Sequence, residues 1–143
     1  MPRLKIDLPE RRLTSFTIPV RITDVNYGNH VGNNAMIEII HEARFRFLQK
    51  YGFTELDAGG IALIMSSISV EFKNECFYSD LLEVELYAGE ISRVEFDFFY
   101  KIYTERNGTI VLIALAKTTM VGFDYEVKKV RSLSTPLKNI LAE

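Results

Sequence analysis

The apolar positions of this chain change period once, near residue 60. From Ala35 to Tyr51 no glycine or proline interrupts the chain, and the segment predicts a helix. Placed at about 100° per residue, Ala43, Met36, Phe47, Ile40, Tyr51, Ile37, Leu48 and Phe45 form a broad apolar arc. Glu38, Gln49, Glu42, Arg46 and Lys50 gather opposite, and His41 falls within the apolar arc, between Leu48 and Phe45. Gly52 stands where a left-handed C′ residue would close the helix, and Asn33 or Asn34 where an N-cap would open it.

From Ile61 onward the period is two. Ile61 to Phe72 predicts a strand. Leu82, Val84, Leu86 and Ala88 alternate with Glu83, Glu85 and Tyr87; Val94, Phe96, Phe98, Tyr100 and Ile102 alternate with Glu95, Asp97 and Lys101. Thr109 to Phe123 is long and apolar on both faces, and the Asn107-Gly108 pair before it predicts a tight hairpin. Connections this short require antiparallel neighbours, because parallel strands need a long crossover. Ahead of the helix, Phe16 to Ile22 alternates and predicts a first strand, with Pro19 marking an edge or a bulge. The tail from Asp124 is charged, then weakly helical after Pro136.

No repeat, low-complexity stretch or linker divides the chain, so residues 1–143 predict a single domain. It is of the α+β class, a five-stranded antiparallel sheet and one long helix burying each other's apolar faces. Ile61 to Phe72 is left as an edge, and exposed apolar edges are usually covered. The expectation is a homodimer joined edge to edge, or a homotetramer made from two such pairs.

Composition narrows the function classes. Hydrophobic residues make up 48% and charged residues 25%, which excludes disorder, and a net charge of −2 gives no footprint for nucleic acid or an anionic membrane. Met1 to Phe16 carries Pro, Asp and Glu rather than a secretory pattern. The longest apolar run, Ile110 to Ala116, falls far short of the ~18 residues a membrane span needs. A cytoplasmic location with no membrane partner is expected. Cys76 is the only cysteine, which excludes an internal disulfide and a multi-cysteine metal site. Its neighbours Glu75 and Phe77 give no electropositive setting, so an inert thiol is expected. Neither a metal nor a cofactor is called for.

The unusual polar residues concentrate between Arg21 and Arg44. The loop from Asp24 to Asn34 is dense in Asn and Gly, both histidines of the protein (His30 and His41) lie in this region, and Glu42 follows on the helix. A turn-rich connector would also use Asn and Gly, Glu42 with Arg46 is an ordinary i,i+4 pair, and an aspartate such as Asp24 commonly caps a loop.

The same residues resemble the opening motif of the 4-hydroxybenzoyl-CoA thioesterase-like hotdog proteins, in which Asp-Thr-Asp is followed after three residues by His-Val-Asn-Asn and then by a helix containing Glu-Ala-Arg. Without a gap, Asp24 and Asn26 fall on the two aspartates, His30 and Val31 on the His-Val pair, Asn33 on the second Asn, and Glu42-Ala43-Arg44 on Glu-Ala-Arg. Tyr78 to Glu85 and Ala116 to Asp124 resemble two of that family's strands. The resemblance implies a hotdog fold with the sheet wrapped around the helix, oligomers with active sites between subunits, and hydrolysis of acyl-CoA or a related acyl thioester. It implies that the backbone N–H of Asn33 serves as oxyanion donor, with His30, Val31, Asn33 and Asn34 around the substrate.

The chain departs from the pattern at the catalytic acid, since Asn26 replaces the second Asp and an amide cannot take a proton. A second branch of the family carries its carboxylate about two turns into the helix, where this chain has His41 and, beside it, Glu42. The expectation is that the catalytic role has moved among Asp24, His41 and Glu42, with Asn26 orienting a water, because His41 supplies a base near neutral pH. Alternatives are a non-catalytic acyl-thioester binding module and a hotdog hydratase or dehydratase built on His30 and Glu42. The latter lacks the Pro-Gly that opens the dehydratase helix. Arg93, Lys101 and Lys117 are candidates to meet CoA phosphates.

Overall fold

The computed structural model describes residues 5–142. Its elements run β1 (Arg12–Pro19), a 3-10 turn (Ile22–Asp24), α1 (Asn33–Gln49), β2 (Ala62–Phe72), β3 (Leu81–Ile91), β4 (Glu95–Arg106), β5 (Thr109–Asp124), β6 (Lys129–Val130) and α2 (Thr135–Ala142). The long strands form one antiparallel sheet in the order β1-β3-β4-β5-β2, with β6 added to β5.

The period-two reading holds strand by strand. Leu82, Val84 and Leu86 on β3 and Phe96, Phe98, Tyr100 and Ile102 on β4 are buried against α1, which contributes Met36, Ile39, Ile40, Ala43, Phe47 and Leu48. Each such aliphatic side chain contributes about 1.5–3 kcal/mol relative to exposure. Phe47 and Phe96 both meet Phe98 edge to face, at 5.6 and 4.9 Å, the geometry that ring quadrupoles favour. On β5 a bulge at the Ile102/Tyr103 register break lets both Ile113 and Ala114 face the core, which accounts for a run apolar on both faces. Asn107 and Gly108 turn the β4–β5 hairpin with φ of 51° and 80°, as a type I′ turn demands.

Several boundaries and counts differ from the sequence reading. The first strand lies earlier, at Arg12–Pro19, and Ile22 belongs to the exposed 3-10 turn instead. Pro19 ends a strand at the sheet margin, where its missing N–H does no harm. The sheet has six strands rather than five because the chain doubles back at Lys129–Val130. A second helix joins the long one: Ser134 Oγ accepts the N–H of Leu137 at 3.2 Å, and Leu137, Ile140 and Leu141 enter the core. The N-cap of α1 is Gly32, not Asn33 or Asn34. At the other end Gly52 adopts φ 73°, with Phe53 N–H donating to Leu48 O and Gly52 N–H to Gln49 O, both at 3.0 Å. That is the Schellman closure expected of a C′ glycine.

The apolar arc of α1 is only partly covered. Ile37, Phe45 and Tyr51 on its flank stay exposed, and so does His41, although it falls within the apolar arc; its side chain keeps 56% of its accessible surface. Arg44 instead is buried, one turn from Ile40 and one from Leu48. The sheet ends at β2, which among the described residues pairs only with β5.

Candidate active site

The loop that opens α1 is built from its own backbone. Val25 and Val31 bridge, Asn26 N–H donates to His30 O at 3.0 Å, and Asn29 takes φ 62° between them. Asn26 Oδ1 accepts the N–H of Gly28 at 2.8 Å, an Asx turn that fixes the tip. Asp24 is the anchor. Its carboxylate accepts the backbone N–H of Arg21 at 2.8 Å and the Arg21 guanidinium at 3.0 Å, and its carbonyl accepts Gly32 N–H at 3.1 Å. With 1% of its side chain exposed, Asp24 points into the loop it holds.

That anchoring leaves the helix start open. Gly32 has extended dihedrals (φ −76°, ψ 163°), makes no side-chain cap, and accepts the first helical bond from Met36 N–H at 3.1 Å. The N–H groups of Asn33, Asn34 and Ala35 precede that bond and have no helical partner. With Asp24, Val25, Asn26 and Gly32 these three residues line a cleft of about 480 Å³, so the positive end of the helix dipole faces open space.

A second cleft, of about 250 Å³, lies on the other side of Asn33. Its walls are His30, Val31, Asn33 and Met36 on one side and Phe72 to Cys76 with Ile113 on the other. The Val31 N–H to Cys76 O bond at 2.9 Å joins the two walls. His30 directs Nδ1 toward Val31 O at 3.3 Å and brings Nε2 within 3.8 Å of Glu75. The far wall is clamped by Arg106, which reaches Asp80 through Nε at 3.1 Å and Nη2 at 2.7 Å and Glu75 O at 2.8 Å. Hydrogen bonding from Arg106 holds the Asp80 carboxyl below its ordinary range against the opposing effect of burial. Burial, reinforced by the charge of Asp80, pushes the Cys76 thiol up to about 11, in keeping with the inert thiol expected.

Asp24, Asn26, Asn33 and Asn34 thus meet at one cleft and His30, Val31 and Asn33 at the other, while His41 and Glu42 line neither. His41 lies eight residues after Asn33, about 12 Å along the helix axis. Glu42 pairs with Arg46 at 2.6 Å on a half-exposed face, the i,i+4 pair legible in the sequence. His41 has a partner the sequence did not signal. Its Nε2 lies 2.8 Å from Glu55 Oε2, and Glu55 Oε1 accepts Arg44 Nε at 3.0 Å. An arginine four residues from Ile40 and from Leu48 was the available hint that a buried cation needed a carboxylate. Arg93, Lys101 and Lys117 line neither cleft; Arg93 bonds Ser132, and the two lysines lie over the rings of Tyr103 and Phe99. Lys73 does line the second cleft, paired with Glu71 at 2.7 Å.

Residues 20–141 match the family model of the thioesterase-like superfamily. The chain is 35% identical over 66 residues to a presumed esterase of Aquifex aeolicus, a match covering 45% of this chain and 52% of that protein. It is 26% identical over 118 residues to a 1,4-dihydroxy-2-naphthoyl-CoA hydrolase of Crocosphaera subtropica, covering 80% of this chain and 85% of the relative. Among solved structures, a 1,4-dihydroxy-2-naphthoyl-CoA thioesterase from Synechocystis superimposes with a TM-score of 0.80 over 90% of this chain and 95% of the other, at 22% identity. That likeness establishes the hotdog fold. No helix among the described residues is long and apolar enough to cross a membrane.

Proposed function

Because the chain belongs to the thioesterase-like superfamily, we propose that it is a cytosolic hydrolase of acyl-CoA thioesters, with the open start of α1 as its oxyanion site and His41 as its base. The observation that carries this reading is the helix start itself. Three backbone N–H groups with neither a helical partner nor a side-chain cap face a cleft, and a second, partly apolar cleft adjoins the same residue, Asn33.

In this reading the thioester oxygen accepts the Asn33 N–H, and the negative charge that develops on it as water adds is stabilised by that donor and by the helix dipole. Asn34 lies beside it. The acyl group lies among His30, Val31, Met36, Phe72 and Ile113, side chains suited to a flat or apolar group. Asp24 keeps the loop in place rather than taking a proton, and Asn26 orients water at the cleft mouth. Glu42 stays with Arg46. In this reading Asn33 and His41, about 12 Å apart along one helix axis, act on the same substrate from different copies of the chain. The edge of β2, unpaired on its outer side among the described residues, its exposed Met65, and the exposed Ile37 and Phe45 of α1 support a homodimer, or a homotetramer of two such pairs.

The test is thiol release from a panel of aromatic and straight-chain acyl-CoAs, with 1,4-dihydroxy-2-naphthoyl-CoA included because two similar proteins carry its name. Turnover of at least one aromatic acyl-CoA is expected. Asp24→Asn and His41→Ala should each lower kcat/KM tenfold or more, about 1.4 kcal/mol. Asn26→Asp should leave activity intact or raise it, and Glu42→Gln should matter less. If all four variants hydrolyse the substrate at the wild-type rate, or the wild type binds acyl-CoA and releases no thiol, the reading is wrong. A solution mass equal to one 16.4 kDa chain during turnover would remove the shared site.

A further inference from the structure

A chain of polar side chains runs from the core of the protein to the flank of α1 that carries His41. Tyr100 and Thr118 are fully buried, and their hydroxyl oxygens lie 2.7 Å apart. Arg44, with 6% of its side chain exposed, directs Nη1 to Tyr100 Oη at 3.4 Å and Nε to Glu55 Oε1 at 3.0 Å. Glu55 presents its second oxygen to His41 Nε2 at 2.8 Å. The backbone of Glu55 is pinned as well, since its carbonyl accepts Leu63 N–H at 2.6 Å, where the loop leads into β2.

The chain is ordered by chemistry. An arginine is a donor at every nitrogen, and an ionised carboxylate accepts at both oxygens. Arg44 therefore fixes the orientation of the Glu55 carboxylate, and a carboxylate so held can only accept from His41. The hydrogen of neutral His41 must then sit on Nε2, which leaves the lone pair on Nδ1. A counter-ion for Arg44 alone needs one oxygen at one guanidinium edge. Here the second oxygen holds an imidazole that is more than half exposed and that burial alone would not fix.

From this geometry we infer that Glu55 is the positioning residue of His41, holding the imidazole in the Nε2–H tautomer so that Nδ1 serves as the base, with Arg44, Tyr100 and Thr118 as the support behind it. The inference rests on the assignment of His41 as base given above. In the step it serves, water adds to the thioester carbon while one of its protons passes to His41 Nδ1, and the ion pair with Glu55 stabilises the imidazolium. The carbon–sulfur bond then breaks and the proton goes to the departing thiolate, giving the carboxylic acid and free CoA thiol. Glu55 takes up no proton, as in other carboxylate–histidine pairs in which the acid fixes the tautomer.

Two measurements test this on the full-length protein. The first is nitrogen-15 NMR of the neutral histidine rings. The chain has two histidines, so spectra of His41→Asn assign the remaining signal to His30. Wild-type His41 should show the Nε2–H tautomer alone, and Glu55→Gln should release it into a mixture. A wild-type ring that samples both tautomers, or a Glu55→Gln ring as fixed as the wild type, overturns the inference whatever the activity. The second is a double-mutant comparison of thiol release. Glu55→Gln should lower kcat tenfold or more with KM within twofold, and adding it to His41→Asn should cause no further loss, because the two act as a unit. Glu55→Asp keeps a charge beside Arg44 but is one methylene too short to span both partners. It should fold if Glu55→Gln does not, and should lose at least fivefold in kcat. Impaired His41→Asn with wild-type Glu55→Gln or Glu55→Asp rates overturns the role of Glu55 alone. Wild-type rates in His41→Asn overturn the base assignment instead.

Discussion

Replacing Asn33 by proline would remove one N–H group from the helix start and change little else. Asn33 is the first helical residue, and its N–H precedes the first helical bond, the one made by Met36. Proline is favoured at that position because the missing N–H has no helical partner and the fixed φ suits the first turn. The residue before a proline must be extended, and Gly32 already is, at φ −76° and ψ 163°. Asn33→Ala is the matched control, since it removes the same side chain and keeps the N–H. Loss of one oxyanion donor typically costs about 10²–10³ in kcat, roughly 2.7–4 kcal/mol. The Pro variant should therefore turn over at least a hundredfold more slowly than the Ala variant. KM should move little, because the bond strengthens mainly as charge develops. Stability should not fall. A proline at a compatible site gains about 0.4–1 kcal/mol from the unfolded chain, about 1–4 °C in Tm for a domain of this size. Thiol-release kinetics and a thermal melt on the three proteins decide the matter. A folded Asn33→Pro enzyme as fast as Asn33→Ala would remove this N–H from the mechanism, and an equal loss in both would transfer the effect to the side chain.

Three further outcomes follow from the packing. Arg106 holds Asp80 below its ordinary pKa of 3.8, so this pair stabilises the fold fully above that value and less as pH falls through the folded value. Urea titrations should accordingly show Arg106→Gln well below wild type at neutral pH and converging with it below about pH 3.8; a gap that stays constant into acid would refute this. With its thiol pushed up to about 11 by burial, Cys76 should react with a disulfide reagent only as the protein unfolds, and rapid stoichiometric labelling of the native state would contradict that. Tyr100→Phe strands the buried Thr118 hydroxyl and weakens the hold on Arg44, a loss of about 1–3 kcal/mol. Adding Thr118→Val should restore part of the lost Tm, whereas a further fall would show that the hydroxyl pair is not the source.

The sequence by itself determined the class of fold and singled out the loop proposed here as the site, because both are local signals. Alternation along β3 and β4, Asn107-Gly108 at the hairpin and Gly52 behind the helix each act within a few residues, and each appears in the structure in its expected role. The loop from Asp24 to Asn34 was legible for the same reason, since its density of Asn and Gly is a local turn signal. What each side chain does there was decided by tertiary structure. Asp24 became the anchor of the loop because Arg21 and Gly32 closed on it. Gly32 rather than an asparagine caps the helix, which is why the N–H groups of the next three residues stay open to the cleft. A helical wheel put His41 inside, yet the sheet covers only one side of α1, and which side depends on strand order across residues far apart in the chain. The same long-range placement set Glu55 between His41 and a buried Arg44. A period along the chain reports which faces are apolar; only the packed sheet decides which of those faces is covered, and so which charge is left at the surface with a partner.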